Sequence, residues 1–158
     1  MRIVIFSDTH NSFAAADQIF KQNKDVSDNF LFLGDGTEEV EHLRPFYPEK
    51  NIYCVSGNCD HGTAPQHMTL ELGGIRIFMT HGHHYNVRDT VDMVYKRGRE
   101  ERATLILFGH THCRYHKYMS GVHLLNPGSA SQPKDFLPPS YAVVDILPTG
   151  LYWLHIEL

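Results

Sequence analysis

The sequence predicts an α/β protein in which two mixed β-sheets pack face to face and helices flank them, a four-layer αββα sandwich. Three observations predict this. The first half alternates short apolar runs with amphipathic stretches, the rhythm of βαβ units and a parallel sheet. The second half is dominated by strand pairs around glycine and proline turns, the signature of antiparallel hairpins. Together the halves hold too many strands for one small sheet covered by helices on both sides, so two packed sheets are the economical arrangement. At 158 residues the chain reads as one domain, 1–158, long enough to bury about 70% of its unfolded surface.

Each element has a local reason. Arg2 to Phe6 is rich in β-branched and aromatic side chains and reads as a short buried strand, stopped by Ser7-Asp8-Thr9-His10. Asn11 or Ser12 can cap a helix, and Phe13, Ala16, Ile19 and Phe20 sit at helical spacing, which predicts a helix over 12–22. Phe30-Leu31-Phe32-Leu33 is a continuous apolar run, as in a strand covered on both faces. It ends at Gly34-Asp35-Gly36, where glycine lets the backbone turn sharply and approach closely. A short helix from Glu38 to Leu43 stops before Pro45. Asn51 to Val55 is a third strand, ending at Ser56-Gly57-Asn58-Cys59-Asp60.

The rhythm then changes. Met68 to Leu72 and Ile75 to Met79 flank Gly73-Gly74, a hairpin signal. The second of these strands ends at Thr80-His81-Gly82-His83-His84. Val91, Val94 and Tyr95 mark one face of a helix across about 89–102. Thr104 to Phe108 is another strand, ending at Gly109-His110-Thr111-His112. Residues 114–119 and 122–125 pair around Ser120-Gly121. A turn at Asn126-Pro127-Gly128-Ser129 and a proline-rich surface loop over 130–140 follow. A last hairpin pairs 141–147 with 151–158.

Composition bounds the function. Apolar residues at 42% and charged residues at 20% fit a soluble globular protein. No run of 18 apolar residues and no charged-then-apolar leader is present, so neither a membrane span nor a secretory signal is expected. Cys54, Cys59 and Cys113 are odd in number and lack CxxC spacing. They favour a reducing, cytoplasmic setting over a disulfide framework or a cysteine zinc cluster. A net charge of −4 argues against a long nucleic-acid duplex as partner. Lys96, Arg97, Arg99 and Arg102 are interrupted by Glu100 and Glu101 and read as a solvated helix face. A homo-oligomer is compatible with all of this.

The 12 histidines are the unusual feature. Asp8 and His10 are two residues apart, so in extended backbone both leave the same side and converge beyond the strand end. That is half of a site for a divalent transition ion. The other strand ends add Asp35, Asn58, His81, His110 and His112, in the place where open α/β sheets form their sites. An all-nitrogen-and-oxygen set suits manganese, iron, zinc or nickel better than calcium or magnesium, and manganese is the leading expectation. These ligands are too many for one tetrahedral ion and suit two divalent ions sharing a bridge. Asp35 is the natural bridge, because a carboxylate has two oxygens. Two such ions bring about +4; Asp8 and Asp35 bring −2, and a bridging hydroxide leaves the site near +1, poised for an anionic phosphate ester. Metal coordination also lowers the pKa of water from 15.7 to roughly 7, which supplies a nucleophile. His42, His61, His67, His84, His116, His123 and His155 have no strand-end placement and read as surface or core residues.

The five blocks DxH, GD, GN, HGH and GHTH, in this order, resemble the calcineurin-like metallophosphoesterase superfamily. Gly57-Asn58-Cys59-Asp60 and Asn126-Pro127-Gly128-Ser129 resemble its small bacterial and archaeal phosphodiesterase branch. The resemblance runs over essentially the whole chain and implies a two-sheet α/β sandwich. It implies one metal held by Asp8, His10, Asp35 and His112, and another held by Asp35, Asn58, His81 and His110. Asn58 would also touch a substrate phosphate oxygen, and Gly128 and Ser129 would form a turn packed near the site. Many larger members carry a histidine after the asparagine that is thought to protonate the leaving group. Cys59 stands there instead, as it commonly does in the small branch, and a thiol with a pKa near 8.5 is a poor substitute. His83 is the candidate acid.

The function expected is hydrolysis of small phosphodiesters by a metal-bridging hydroxide at a binuclear site. A phosphomonoesterase is the nearest rival. No Arg or Lys lies within the ligand blocks, which favours the monoanionic diester, while Arg88 and Arg114 lie near enough to keep the monoester open. The resemblance also extends to a retromer subunit of this fold that acts as a non-catalytic scaffold with a degraded metal site; the presence of His10 with the other ligands counts against that. The HxHxDH signature of metallo-β-lactamase-type hydrolases is absent, since residues 81–84 read His-Gly-His-His.

Overall fold

In the computed structural model, which describes residues 1–158, the first strand shows how the layers are made. Strand β1 (Arg2–Phe6) buries Ile3, Val4, Ile5 and Phe6 completely. Alternate residues of a strand point to opposite faces, so Val4 and Phe6 enter one core and Ile3 and Ile5 another. Helix α1 (Phe13–Asn23) is capped by the Ser12 hydroxyl, which accepts from the Ala15 N–H. Its Ala16, Ile19 and Phe20 meet Val4 and Phe6. Burying side chains of this size stabilises by about 1.5–3 kcal/mol each.

The first sheet has the order β10-β9-β1-β2-β3, with β2 at Asn29–Phe32, β3 at Asn51–Cys54, β9 at Ser140–Leu147 and β10 at Gly150–Glu157. β1, β2 and β3 are parallel, with Val4 opposite Phe30 and Phe30 opposite Ile52, while β9 runs antiparallel to β1 and to β10. Helix α2 (Thr37–Leu43) joins β2 to β3 and puts Val40 and Leu43 into the α1 core.

The second sheet has the order β4-β5-β6-β8-β7. Its strands are β4 (His67–Leu72), β5 (Ile75–Thr80), β6 (Leu105–Leu107), β7 (Arg114–Met119) and β8 (Val122–Pro127). β5, β6 and β8 are parallel; β4 and β7 are antiparallel edges. Ile77, Met79, Leu105, Leu107 and Leu125 face Ile3, Ile5 and Leu31 across the sandwich. Phe78, Ile106 and Leu124 point the other way, to Val94 of helix α3 (Asp92–Glu100). Three apolar cores thus fill the three spaces between four layers. The two five-stranded mixed sheets with three flanking helices are the expected sandwich.

Two boundaries differ from the sequence reading. The helix expected across 89–102 is shorter, at Asp92–Glu100, because Thr90 Oγ1 accepts the Asp92 N–H at 3.2 Å and Arg102 turns left-handed at φ 58°. Asn126 and Pro127, expected in a turn, close β8 and pair with Tyr115 and Arg114. Proline is tolerated there because it occupies the strand's last position. No helix is long and apolar enough to cross a membrane.

Candidate metal centre

The carboxyl ends of β1, β2, β5 and β6 meet at one edge of the sandwich, where backbone bonds lace the first two strand-end turns together. The Asp8 N–H donates to the Gly34 carbonyl and the His10 N–H to the Asp35 carbonyl, both at 3.0 Å. The chain is forced into unusual conformations at this edge. Of the ten non-glycine residues with positive φ, five are predicted ligands: Asp8 (57°), His10 (43°), Asp35 (59°), His110 (67°) and His112 (60°). Such backbone costs about 1 kcal/mol or more per residue and persists where surrounding structure over-determines it. At the loop after β3, Gly57 is required by close approach. A Cβ there would collide with the Asp35 carboxylate and backbone N.

Six of the seven predicted ligands converge. His10 Nε2 lies 3.1 Å from His112 Nε2, and His112 Nε2 lies 3.3 Å from Asp8 Oδ1. His10 Nε2 is 3.7 Å from Asp35 Oδ2. On the other side, His81 Nε2 lies 3.4 Å from Asp35 Oδ2 and 3.2 Å from His110 Nδ1. The Asp35 carboxylate therefore stands between two imidazole pairs.

The imidazoles are aimed by backbone carbonyls. His81 Nδ1 lies 2.8 Å from the Leu33 carbonyl, and His112 Nδ1 lies 2.7 Å from the Gln132 carbonyl. A carbonyl only accepts, so each Nδ1 carries a proton and Nε2 is the nitrogen each ring turns inward. The residues present fit divalent transition ions on a further observation. Asp8 is fully buried, and its Oδ1 has no hydrogen-bond partner, although it faces His112, His10 and His81. A buried acceptor left this way costs about 1–3 kcal/mol; a cation among these ligands would satisfy it.

Electrostatics follow from the same packing. Burial pushes the Asp8 carboxyl up, against the pull of His81 and His112. Burial also works against the Asp35 carboxylate, but His81 and the Cys59 N–H outweigh it and hold Asp35 below the usual carboxylate range. For His81, the two aspartates outweigh burial and raise its pKa. Burial, aided by His81 and Arg88, pulls His110 down to about 4, so its ring stays neutral at pH 7.

Asn58, the seventh predicted ligand, is exposed, and its amide lies 3.3 Å from Cys59 Sγ. Cys59 has its sulfur within 4.8 Å of ligand atoms of both His10 and Asp35. Its thiol pKa is raised by burial and by Asp35, so the protonated form persists. His83 stands at the rim, with ring centroids 5.4 Å from His81 and 6.1 Å from His110, and its buried Nδ1 has no partner. Burial and the neighbouring His84 and His81 lower its pKa.

Several supporting residues escaped sequence reasoning. Asp60 accepts four backbone N–H groups, from Asp35, Gly36, Thr37 and Gly57, at 2.7–2.9 Å. It ties the loop after β3 to the start of α2, whose N-cap, Gly36, has no capping side chain. Ser129 and Ser131 hydroxyls donate to the Asp8 carbonyl at 2.8 and 3.1 Å, and Asn126 Nδ2 donates to the Gly109 carbonyl at 2.8 Å. The available signal was the Gly-Asn-Cys-Asp and Asn-Pro-Gly-Ser strings, which marked turns without revealing what they clamp.

Comparison with known proteins gives a consistent picture. Residues 1–148 match the model of the calcineurin-like phosphoesterase superfamily domain. The chain is 32% identical over 149 residues to the probable metallophosphoesterase YsnB of Bacillus subtilis, covering 92% of this chain and 85% of that protein. It is 26% identical over 169 residues to the phosphodiesterase YfcE of Escherichia coli, covering 92% and 88%. Among solved structures, Vps29 of Entamoeba histolytica complexed with zinc superposes with a TM-score of 0.76, covering 99% of each chain at 19% identity. At that identity the likeness shows the fold alone.

Proposed function

The chain belongs to the calcineurin-like phosphoesterase superfamily, and from that premise we propose that it is a binuclear metal-dependent phosphodiesterase acting on small phosphodiesters. The observation that carries this is the paired imidazoles around Asp35, with Asp8 Oδ1 left unpaired beside them. Asp8, His10, Asp35 and His112 would hold one divalent ion, and Asp35, His81, His110 and Asn58 the other. Manganese is the first choice, with iron, zinc or nickel as alternatives. When bound, such ions supply a water-derived nucleophile at neutral pH and neutralise charge on the phosphoryl group.

The protein's own groups do the rest. The backbone carbonyls of Leu33 and Gln132 keep His81 and His112 in the ligating tautomer. Asn58 sits on the open side, where its amide can exchange Cys59 Sγ for a phosphate oxygen. His83, whose ring stands beside those of His81 and His110, would protonate the departing alkoxide. Cys59 is poorly suited to that role, since its thiol pKa is raised.

A diester is preferred over a monoester because one of the two cations a dianion would use is occupied. Arg114 lies against Asp135 at 3.4 Å and Glu157 at 3.3 Å, and donates to the Pro138 carbonyl. YfcE, which carries the name phosphodiesterase, is a relative over nearly the whole chain. The scaffold reading takes support from the fold shared with Vps29 but has an intact ligand set to explain. The test is hydrolysis of bis(4-nitrophenyl) phosphate against 4-nitrophenyl phosphate after chelation and manganese add-back. Chelation should abolish diester hydrolysis and manganese restore it. Activity that survives thorough chelation, or a preference for the monoester, overturns the proposal.

A further inference from the structure

Two openings lie near the strand ends that carry the predicted ligands, one lined by ligands themselves and one by their neighbours in the chain, and they differ in chemistry. One, of about 220 Å³, is bordered by His10, Asp35 and Cys59 and walled by the carboxylates of Glu38, Glu39 and Asp60. The other, of about 470 Å³, is lined by Thr111, which lies between His110 and His112 in the chain, and by the buried residues Val87 and Phe108. Tyr115 forms its wall, with its ring 5.7 Å from that of Phe108. This volume lies in the roughly 300–1,000 Å³ range of small-molecule sites.

We propose that the larger cleft seats the non-leaving arm of the diester and that this arm is a nucleoside, with its base against Tyr115 and Val87 and Arg88 at the cleft mouth beside the substrate phosphate. The proposal rests on the diesterase reading and adds the substrate class. The acidic opening repels an anionic ester, so the body of the substrate is directed to the other side. Of the two arginines lining the larger cleft, Arg114 is committed to Asp135 and Glu157, whereas Arg88 is exposed and uncommitted. Arg88 lines the same cleft as Thr111, the residue between His110 and His112 in the chain. The rim also carries Lys117, Asp89 and Asp92. Asp89 accepts from Asn86 Nδ2 at 2.8 Å and has lone pairs to spare. Carboxylates there disfavour a second phosphate and suit sugar hydroxyls and base amino groups, which donate. An aromatic floor, acceptors on the rim and one cation at the phosphate end are the complement of a nucleoside monophosphate ester.

The test compares two esters with the same leaving group, thymidine 5′-(4-nitrophenyl) phosphate and methyl 4-nitrophenyl phosphate, on manganese-loaded protein. The nucleotide ester should show a KM lower by about tenfold, the scale of one base–aromatic stack, with kcat little changed. Tyr115→Ala should raise KM for the nucleotide ester and narrow the ratio, whereas Arg88→Ala, at the phosphate both esters share, should raise KM for both. Calorimetric binding of thymidine 5′-monophosphate against methyl phosphate gives the same comparison without catalysis and should show the same tenfold preference. Equal KM values and equal affinities overturn the cleft assignment. If Tyr115→Ala fails to fold, Tyr115→Leu keeps the apolar wall without the aromatic face and should still narrow the ratio; an unaltered ratio there removes Tyr115 from the site, and unaltered KM values in Arg88→Ala remove Arg88. Failure to hydrolyse either ester, together with preferential binding of the nucleotide, would sink the diesterase reading and leave the cleft assignment standing.

Discussion

The two halves of the chain bring opposite chemistry to the centre. Residues up to 60 contribute its carboxylates, Asp8 and Asp35, with Asp60 behind them; residues 81–112 contribute three of its four imidazoles. The carboxylate side is fixed by backbone N–H donors: four hold Asp60, and the Cys59 N–H reaches Asp35 Oδ1 at 2.8 Å. The imidazole side is fixed by backbone acceptors, the Leu33 and Gln132 carbonyls. Leu33 follows a strand of the first sheet and aims a histidine that follows a strand of the second. Neither half can therefore complete the site alone, and the packing of the two sheets sets the ligand geometry.

The largest effect is expected at Asp35, the group both imidazole pairs share. Asp35→Asn keeps the acceptor for the Cys59 N–H and removes the charge. It should lower kcat by about 10²–10³-fold or more and empty both metal positions, read by mass spectrometry of the metal content. A variant that retains two ions and full activity would break the idea of a shared carboxylate.

Asp60→Ala tests whether the carboxylate side depends on its clamp. Losing a charged acceptor of four backbone donors should lower unfolding free energy by about 2–4 kcal/mol, measured by denaturant titration. The pH dependence has a defined sign. Burial opposes ionisation of Asp60, but the four N–H donors outweigh it and depress its pKa. Its contribution is thus fully present above its unfolded pKa of about 4 and is lost as pH falls through the lower folded value. The variant should lose that part of the acid slope; an unchanged slope would assign the acid sensitivity elsewhere.

His10→Ala asks whether the only imidazole the first half brings to the centre is needed. One metal position should weaken by about 10–100-fold while circular dichroism and the unfolding midpoint stay near wild type, since the ring is at the rim of the centre and outside the three apolar cores. The smallest change is expected from His83→Gln. Hydrolysis of esters with alkoxide leaving groups should fall by about tenfold or more, and that of 4-nitrophenyl esters hardly at all, because a good leaving group needs no acid. Equal losses on both would assign His83 to packing against His84 instead.

Much of this arrangement was legible in the chain itself. The apolar run 30–33 and the alternation in β1 announced buried strands, and the polar strand ends announced where ligands would gather. The ends of α3 and β8 were misjudged because each is decided by one or two local contacts, the Thr90 hydroxyl at one and pairing with β7 at the other. Asp60 was seen as part of a turn, while its clamp reaches back 23–25 residues to partners that are backbone atoms and so leave no mark on sequence. Asn58 and Cys59 are adjacent, and nothing in their order says which side chain faces His10 and Asp35; the loop conformation gives that place to the Cys59 sulfur.

Hydrophobic periodicity and turn chemistry specify the strands, the helices, the layer count and the residue types at each strand end, because both are local and act wherever the chain goes. The packing of the two sheets decided that six of those side chains share one small volume and which ring nitrogens point inward. Those properties arise from atoms brought together across 20 to 120 residues, held by left-handed backbone at five ligand positions that isolated segments would not adopt.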